Sequence, residues 1–161
     1  MRRRAPVDQG MARPDNVTPF RPRRPPPRPS GGLGLATHRG KAVLVHLLTL
    51  ISFVASFFFP APPWSYLALA VGVAGLAIAA SNRAEAMPWA RTHHELALRT
   101  IVIGVAASML LSILGFIPGF PAIWAFYARL AVLAWASLRA LIGLVLAILR
   151  KPVPNPTGPL V

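Results

Sequence analysis

The residues able to do chemistry fall into two groups. The first is a dense run of Arg83, Glu85, Trp89, Arg91, His93, His94, Glu95 and Arg99. Metal chemistry is the first idea such a run raises. Adjacent histidines on a helix point to different sides, however, and the run lacks the His pair at i, i+4 with flanking Glu that a helical zinc hydrolase needs. An interfacial amphipathic segment, broken near Pro88 and with Trp89 in the headgroup layer, accounts for the same composition. The second group surrounds Arg139, with Trp135 one helical turn away and in reach of a cation–π contact. Elsewhere His46, Thr49, Ser52 and Ser56 share one broad helical face and offer polar partners to that arginine. The chain has no cysteine, no Gly-rich phosphate loop, no close acidic pair and no Ser-His-acid set in credible positions. We therefore expect no catalytic residue, no cofactor, no metal and no enzymatic activity.

The elements that must carry these residues are apolar. Four stretches, about 42–59, 64–80, 100–117 and 130–149, are 17 to 20 residues long and contain His46 and Arg139 as their only basic or acidic side chains. At about 1.5 Å per residue each reaches roughly 26–30 Å, the thickness of a hydrocarbon core. Of 161 residues, 55% are hydrophobic and 13% charged, a balance that a water-soluble domain of this size could not bury. The fold class expected is all-α: a polytopic membrane protein with four transmembrane helices arranged as two hairpins, behind a disordered N-terminal tail. Its parts are residues 1–41 as tail, 42–149 as bundle and 150–161 as a Pro-rich C-terminal tail.

Charge placement gives the orientation. Ten of the seventeen Lys and Arg residues precede the first stretch. The links at 60–63 and 118–121 carry none, the link at 81–99 carries Arg83, Arg91 and Arg99, and Arg150 and Lys151 follow the last stretch. Under the positive-inside rule both termini lie in the cytoplasm and two tight Pro-rich turns face out. Trp64, Tyr66, Trp124 and Tyr127 stand where outer interfacial anchors belong. The formal charge of +13 raises nucleic acid as a partner, but its concentration beside a membrane segment favours contact with anionic phospholipid and no specific nucleic acid. The tail to residue 41 holds eight prolines and nine arginines, and too few apolar residues to offset chain entropy.

Small residues mark packing faces. Ala68-xxx-Gly72 and Gly75-xxx-Ala79 lie in the second stretch and Gly104-xxx-Ser108-xxx-Ser112 in the third; Ala136, Ala140, Gly143 and Ala147 form one face of the fourth. Such stripes let helix backbones approach within lipid. They point to helices packed on one another, in a homo-oligomer or with other membrane proteins.

Thr92-His93-xxxx-Leu98-Arg99-Thr100-xxx-Gly104 resembles the Ser-His-xxxx-Ile-Arg-Thr-xxx-Gly pattern opening the third span of a family of small bacterial inner-membrane proteins of unknown function. Trp135-xxx-Arg139-xxx-Gly143-Leu144 is similar to that family's last span. Lys151-Pro152-Val153-Pro154-Asn155-Pro156 is similar to its closing Pro-Ile-Pro-Asn-Pro. The likeness covers roughly residues 42–156; His94 and Glu95 depart from the family's usual aromatic and basic residues. That family is distantly similar to the Tic20-like membrane components of plastid protein import. The resemblance implies a multi-pass protein of the bacterial inner membrane, with no inherited activity. It puts His93, Arg99, Thr100 and Gly104 forward as a shared motif. Two functions follow as expectations: a structural or interaction component of a membrane assembly, or an accessory subunit of a transport or translocation complex. Without Asp or Glu in any stretch, independent proton-coupled transport has no carboxylate to use.

Overall fold

The computed structural model describes residues 34–84 and 87–159. Those residues form four helices, α1 His38–Phe58, α2 Trp64–Ser81, α3 Pro88–Leu114 and α4 Ala122–Ile148, and no strand. All four are long and apolar enough to cross a membrane, so the protein is an all-α, multi-pass membrane protein. The expected disordered tail lies, for residues 1–33, outside the described residues.

Helix ends follow the punctuation of the sequence. Thr37 caps α1: its Oγ1 accepts from the Gly40 amide at 3.0 Å and donates to the Gly34 carbonyl at 2.7 Å. The last residues assigned to the tail, 38–41, are thus the first turn of α1. Prolines stand at the start of the other three, with Pro63 and Pro121 before α2 and α4 and Pro88 as the first residue of α3. A proline at a helix start loses no hydrogen bond and brings its φ already set. This corrects the reading of residues 81–99 as a separate interfacial segment broken near Pro88. Pro88 opens α3, which then runs unbroken through Thr100 to Leu114. Likewise α4 starts at Ala122, eight residues before the fourth apolar stretch, and its 27 residues give about 40 Å of helix.

The two hairpins, α1–α2 and α3–α4, pack with α1 at the centre, in contact with all three other helices. Helices α1 and α3 meet across the short diagonal, and α2 and α4 lie on opposite sides of it with no close backbone approach among the described residues. The small-residue faces make this approach possible. Ala68, Gly72, Gly75 and Ala79 on α2 are buried, as are Ala136, Ala140, Gly143 and Ala147 on α4. A methyl group at Gly104 would overlap the Phe53 ring of α1, and one at Gly72 would meet Ser52 Oγ at 2.6 Å. On α3 the stripe fades outward: Gly104 is buried, Ser108 half-buried and Ser112 exposed. Large apolar side chains such as Leu67, Leu69, Val102, Ile103, Leu141 and Val145 point away from the bundle.

The helix ends at which α1 begins and α4 stops are tied by polar contacts. Arg39 Nη2 donates to the Ile148 carbonyl at 2.7 Å, placing a cation on the C-terminus of α4, and Lys41 Nζ donates to Asn82 Oδ1 at 2.7 Å. The opposite end, built by the two turns, is aromatic: Phe57 stacks toward Phe126, and Phe59 toward Trp64.

Candidate functional site

Three helices and the C-terminal segment converge on one buried polar cluster near the tied end. Helix α1 supplies His46, α3 supplies Thr92, His93, His94 and Thr100, and α4 supplies Trp135, Arg139 and Gly143. His46, His93 and His94 have no exposed surface, and Arg139 is 1% exposed. His46 Nε2 lies 3.1 Å from His93 Nδ1, with the rings edge to face at 5.3 Å. His93 Nε2 lies 2.9 Å from the Lys151 carbonyl oxygen. A carbonyl only accepts, so Nε2 of His93 carries the proton. In neutral rings His93 Nδ1 then accepts from His46 Nε2–H. That order leaves His46 Nδ1 as a bare acceptor, and it has no hydrogen-bond partner. The His46 ring lies so close to Gly143 that a methyl group there would occupy the ring's own volume.

Arg139 is the cation at the heart of the cluster. Its Nε donates to Thr100 Oγ1 at 3.0 Å and its Nη1 donates to the Gly158 carbonyl. Thr100 hydroxyl donates in turn to the Leu96 carbonyl at 2.7 Å, leaving its lone pairs for the arginine. The guanidinium carbon lies 5.2 Å from the centre of the Trp135 ring, the cation–π contact expected from the spacing, and Trp135 Nε1 donates to the Pro159 carbonyl at 2.7 Å. Thr92 repeats the arrangement of Thr100: its hydroxyl donates to the Trp89 carbonyl at 2.7 Å and accepts from the Val153 amide at 3.0 Å. Val153 itself is 2% exposed. The C-terminal segment therefore folds back along α3 and α4 as part of the wall of the bundle. A Pro-rich strand has no ladder of its own, so its carbonyls are free to accept from side chains.

One expectation is corrected here. Arg139 does not meet Thr49 or Ser52. Thr49 Oγ1 donates to the Val45 carbonyl one turn back at 2.7 Å, and Ser52 Oγ donates across to the Ala68 carbonyl of α2 at 2.9 Å. Both hydroxyls serve the α1–α2 contact, whereas Arg139 lies on the α3–α4 side. Arg139 is instead level with Thr100 of α3, with the backbone of the C-terminal segment beside it.

Arg99 stays outside the cluster. Its Nε binds Glu95 at 2.6 Å, and Arg83 Nε binds the same carboxylate at 2.9 Å. Glu95 precedes the apolar part of α3 and is held between the two guanidinium groups. No three His, Cys, Asp or Glu side chains among the described residues are grouped so as to hold a metal ion.

Of the residues singled out in the sequence, His46, His93, Thr100, Trp135 and Arg139 come together, and Gly104 packs on Phe53 nearby on α3. Thr49, Ser52 and Arg99 do not join them. Sequence reasoning missed Thr92 as an acceptor, the burial of His94 and the whole C-terminal wall. Chemically, the cluster is a clamp. Its donors point at carbonyls of the chain's own last residues, and its hydroxyls are spent on backbone oxygens. Compared with known proteins, the chain matches no family model, no curated protein and no solved structure.

Proposed function

We propose that the protein is a structural or interaction component of a membrane assembly, seated in the bacterial inner membrane with both termini cytoplasmic. The observation that carries this reading is the closed polar cluster. Arg139, His93 and Trp135 give their N–H groups to carbonyls of residues 151, 158 and 159, so the most polar part of the interior serves to hold the chain's own end. The segregation of basic residues to alternate connections supports the orientation, and the four long apolar helices support the membrane. The outward faces of α2 and α4, with Leu67, Ala70 and Ala74 on one and Leu138, Leu141 and Val145 on the other, are where a second copy or another membrane protein would pack. The Arg-rich tail contacts anionic phospholipid in this reading.

Crosslinking in native membranes, followed by identification of the captured proteins, tests it. Adducts with a second copy or with a few membrane proteins in fixed ratio are the expected result. An absence of such adducts, together with conductance by the purified protein in planar bilayers, would replace it with the transport reading.

A further inference from the structure

At the turn end the two hairpins splay, and the space between them is not filled by the chain. A cleft of about 530 Å³ runs between α2 and α3 and shares Phe53, Ser56, Ser65, Ser108 and Ser112 with an adjoining chamber of about 340 Å³. A third chamber of about 420 Å³ continues from it past Ser56, Phe57 and Pro60 to Gly115 and Phe120 in the second turn. Volumes of this size are those of small-molecule sites. The two chambers toward the turns have Arg129 of α4 in their wall. The chamber between the helices is apolar, with Leu69 and Val73 of α2 facing Val105 and Met109 of α3, all four exposed on the lipid side.

The chemistry of this cleft changes along its length. Arg129 forms no hydrogen bond or ion pair among the described residues. The one carboxylate among those residues, Glu95, lies at the opposite end between Arg83 and Arg99. Side-chain hydroxyls of Ser56 and Ser65 also make no hydrogen bond among the described residues, and both border the arginine's chamber. Ser108 and Ser112 donate to carbonyls of their own helix at 2.8 and 2.9 Å, so they turn acceptor lone pairs to the space. The charged chamber reaches both Pro-rich turns through Pro60 and Phe120, in the part of the bundle where α4 carries the exposed aromatics Trp124 and Tyr127, residue types that meet lipid headgroups. A cation and free hydroxyls at headgroup level, opening into an apolar groove between helices, match one kind of molecule in both charge and polarity.

We propose that this cleft binds one anionic phospholipid, its phosphate on Arg129, Ser56 and Ser65 and one acyl chain between α2 and α3. The charge complement selects the headgroup. Bound there, the lipid joins the two hairpins at the end where the chambers part them. This site is separate from any contact the Arg-rich tail makes at the opposite end.

Photo-crosslinking of the full chain in vesicles tests it, with phosphatidylglycerol or phosphatidylcholine carrying the same diazirine-bearing acyl chain. Crosslinks from phosphatidylglycerol should concentrate on peptides around Leu69–Val73 and Val105–Met109, at least fivefold above those from phosphatidylcholine. Arg129→Gln should cut the phosphatidylglycerol signal there at least fivefold, Arg129→Lys should keep most of it, and circular dichroism should stay unchanged in both. Crosslinks spread evenly over the outward faces, equal yields from the two lipids, or an Arg129→Gln protein that labels like wild type would each overturn the proposal. So would chain-to-chain adducts in that groove, which would give it to a second copy. The wild-type comparison of the two lipids decides the matter even if Arg129→Gln fails to fold.

Discussion

At the residue scale, Gly143 and His46 are one unit. The imidazole occupies the place where a side chain on α4 would begin, so the small residue and the buried ring require each other. Gly143→Ala should lower stability by about 1–3 kcal/mol, the usual cost of forcing extra volume into a packed contact. In the double variant with His46→Ala, the ring that clashes is gone and the added methyl should cost far less. Thermal unfolding of the four forms in detergent measures that coupling, and an additive cycle would contradict it. Arg139 presented the opposite case. Its burial, its bundle-facing side and its contact with Trp135 were legible in helical spacing. Its oxygen partners were not. Thr49 and Ser52 have the right type and face, but a hydroxyl on a helix has a backbone carbonyl one turn back within reach, and local bonding claimed Thr49 first.

At the element scale, the apolar stretches located every helix, and the small-residue stripes of α2 and α4 located their buried faces. What hydropathy could not show was the extent of α3 and α4 beyond the apolar stretches. Pro88 read as a break because proline interrupts helices, yet at the first position it starts one. The three turns after it mix polar and apolar residues and bury one side, on which His93 and His94 are fully enclosed while Arg91 stays exposed. That segment was the least legible element. Prolines exclude helix and ladder, so no periodicity announces where its carbonyls go. Its role gives a prediction: deleting residues 151–161 removes the acceptors of His93, Arg139 and Trp135. A buried polar group left unpaired costs roughly 1–3 kcal/mol, and more when charged. The truncated protein should therefore lose at least about 3 kcal/mol in unfolding experiments, and unchanged stability would mean that the segment only rests on the surface.

For the whole molecule, the absence of cysteine makes topology directly measurable. Cysteines placed at Ala61 and Ala122, in or beside the two turns, should react with an impermeant maleimide on intact cells. Cysteines at Ala36 and Thr157 should react only after permeabilisation. Labelling of either terminal site from outside would invert or break the arrangement. The charge asymmetry and the fold agree on which ends belong together: Arg39, Lys41, Asn82 and Lys151 all join contacts at one end of the bundle. The aromatic turns make the other end, where the hairpins part around Arg129. The C-terminal segment thus closes one end of the bundle, and at the other the hairpins leave chambers between them.

The C-terminal segment is a wall of the bundle, held by the buried arginine. Arg91 and Thr157 border one small surface pocket, both exposed, and cysteines at these two positions report the docked state directly. Mild oxidation in native membranes should join them rapidly in the otherwise wild-type chain. Adding Arg139→Leu should slow the reaction several-fold, and Arg139→Lys should not restore it, because an ammonium cannot reproduce the planar reach to Thr100 and Gly158 together. A pair that fails to crosslink, or that crosslinks equally fast in all three backgrounds, would contradict the account.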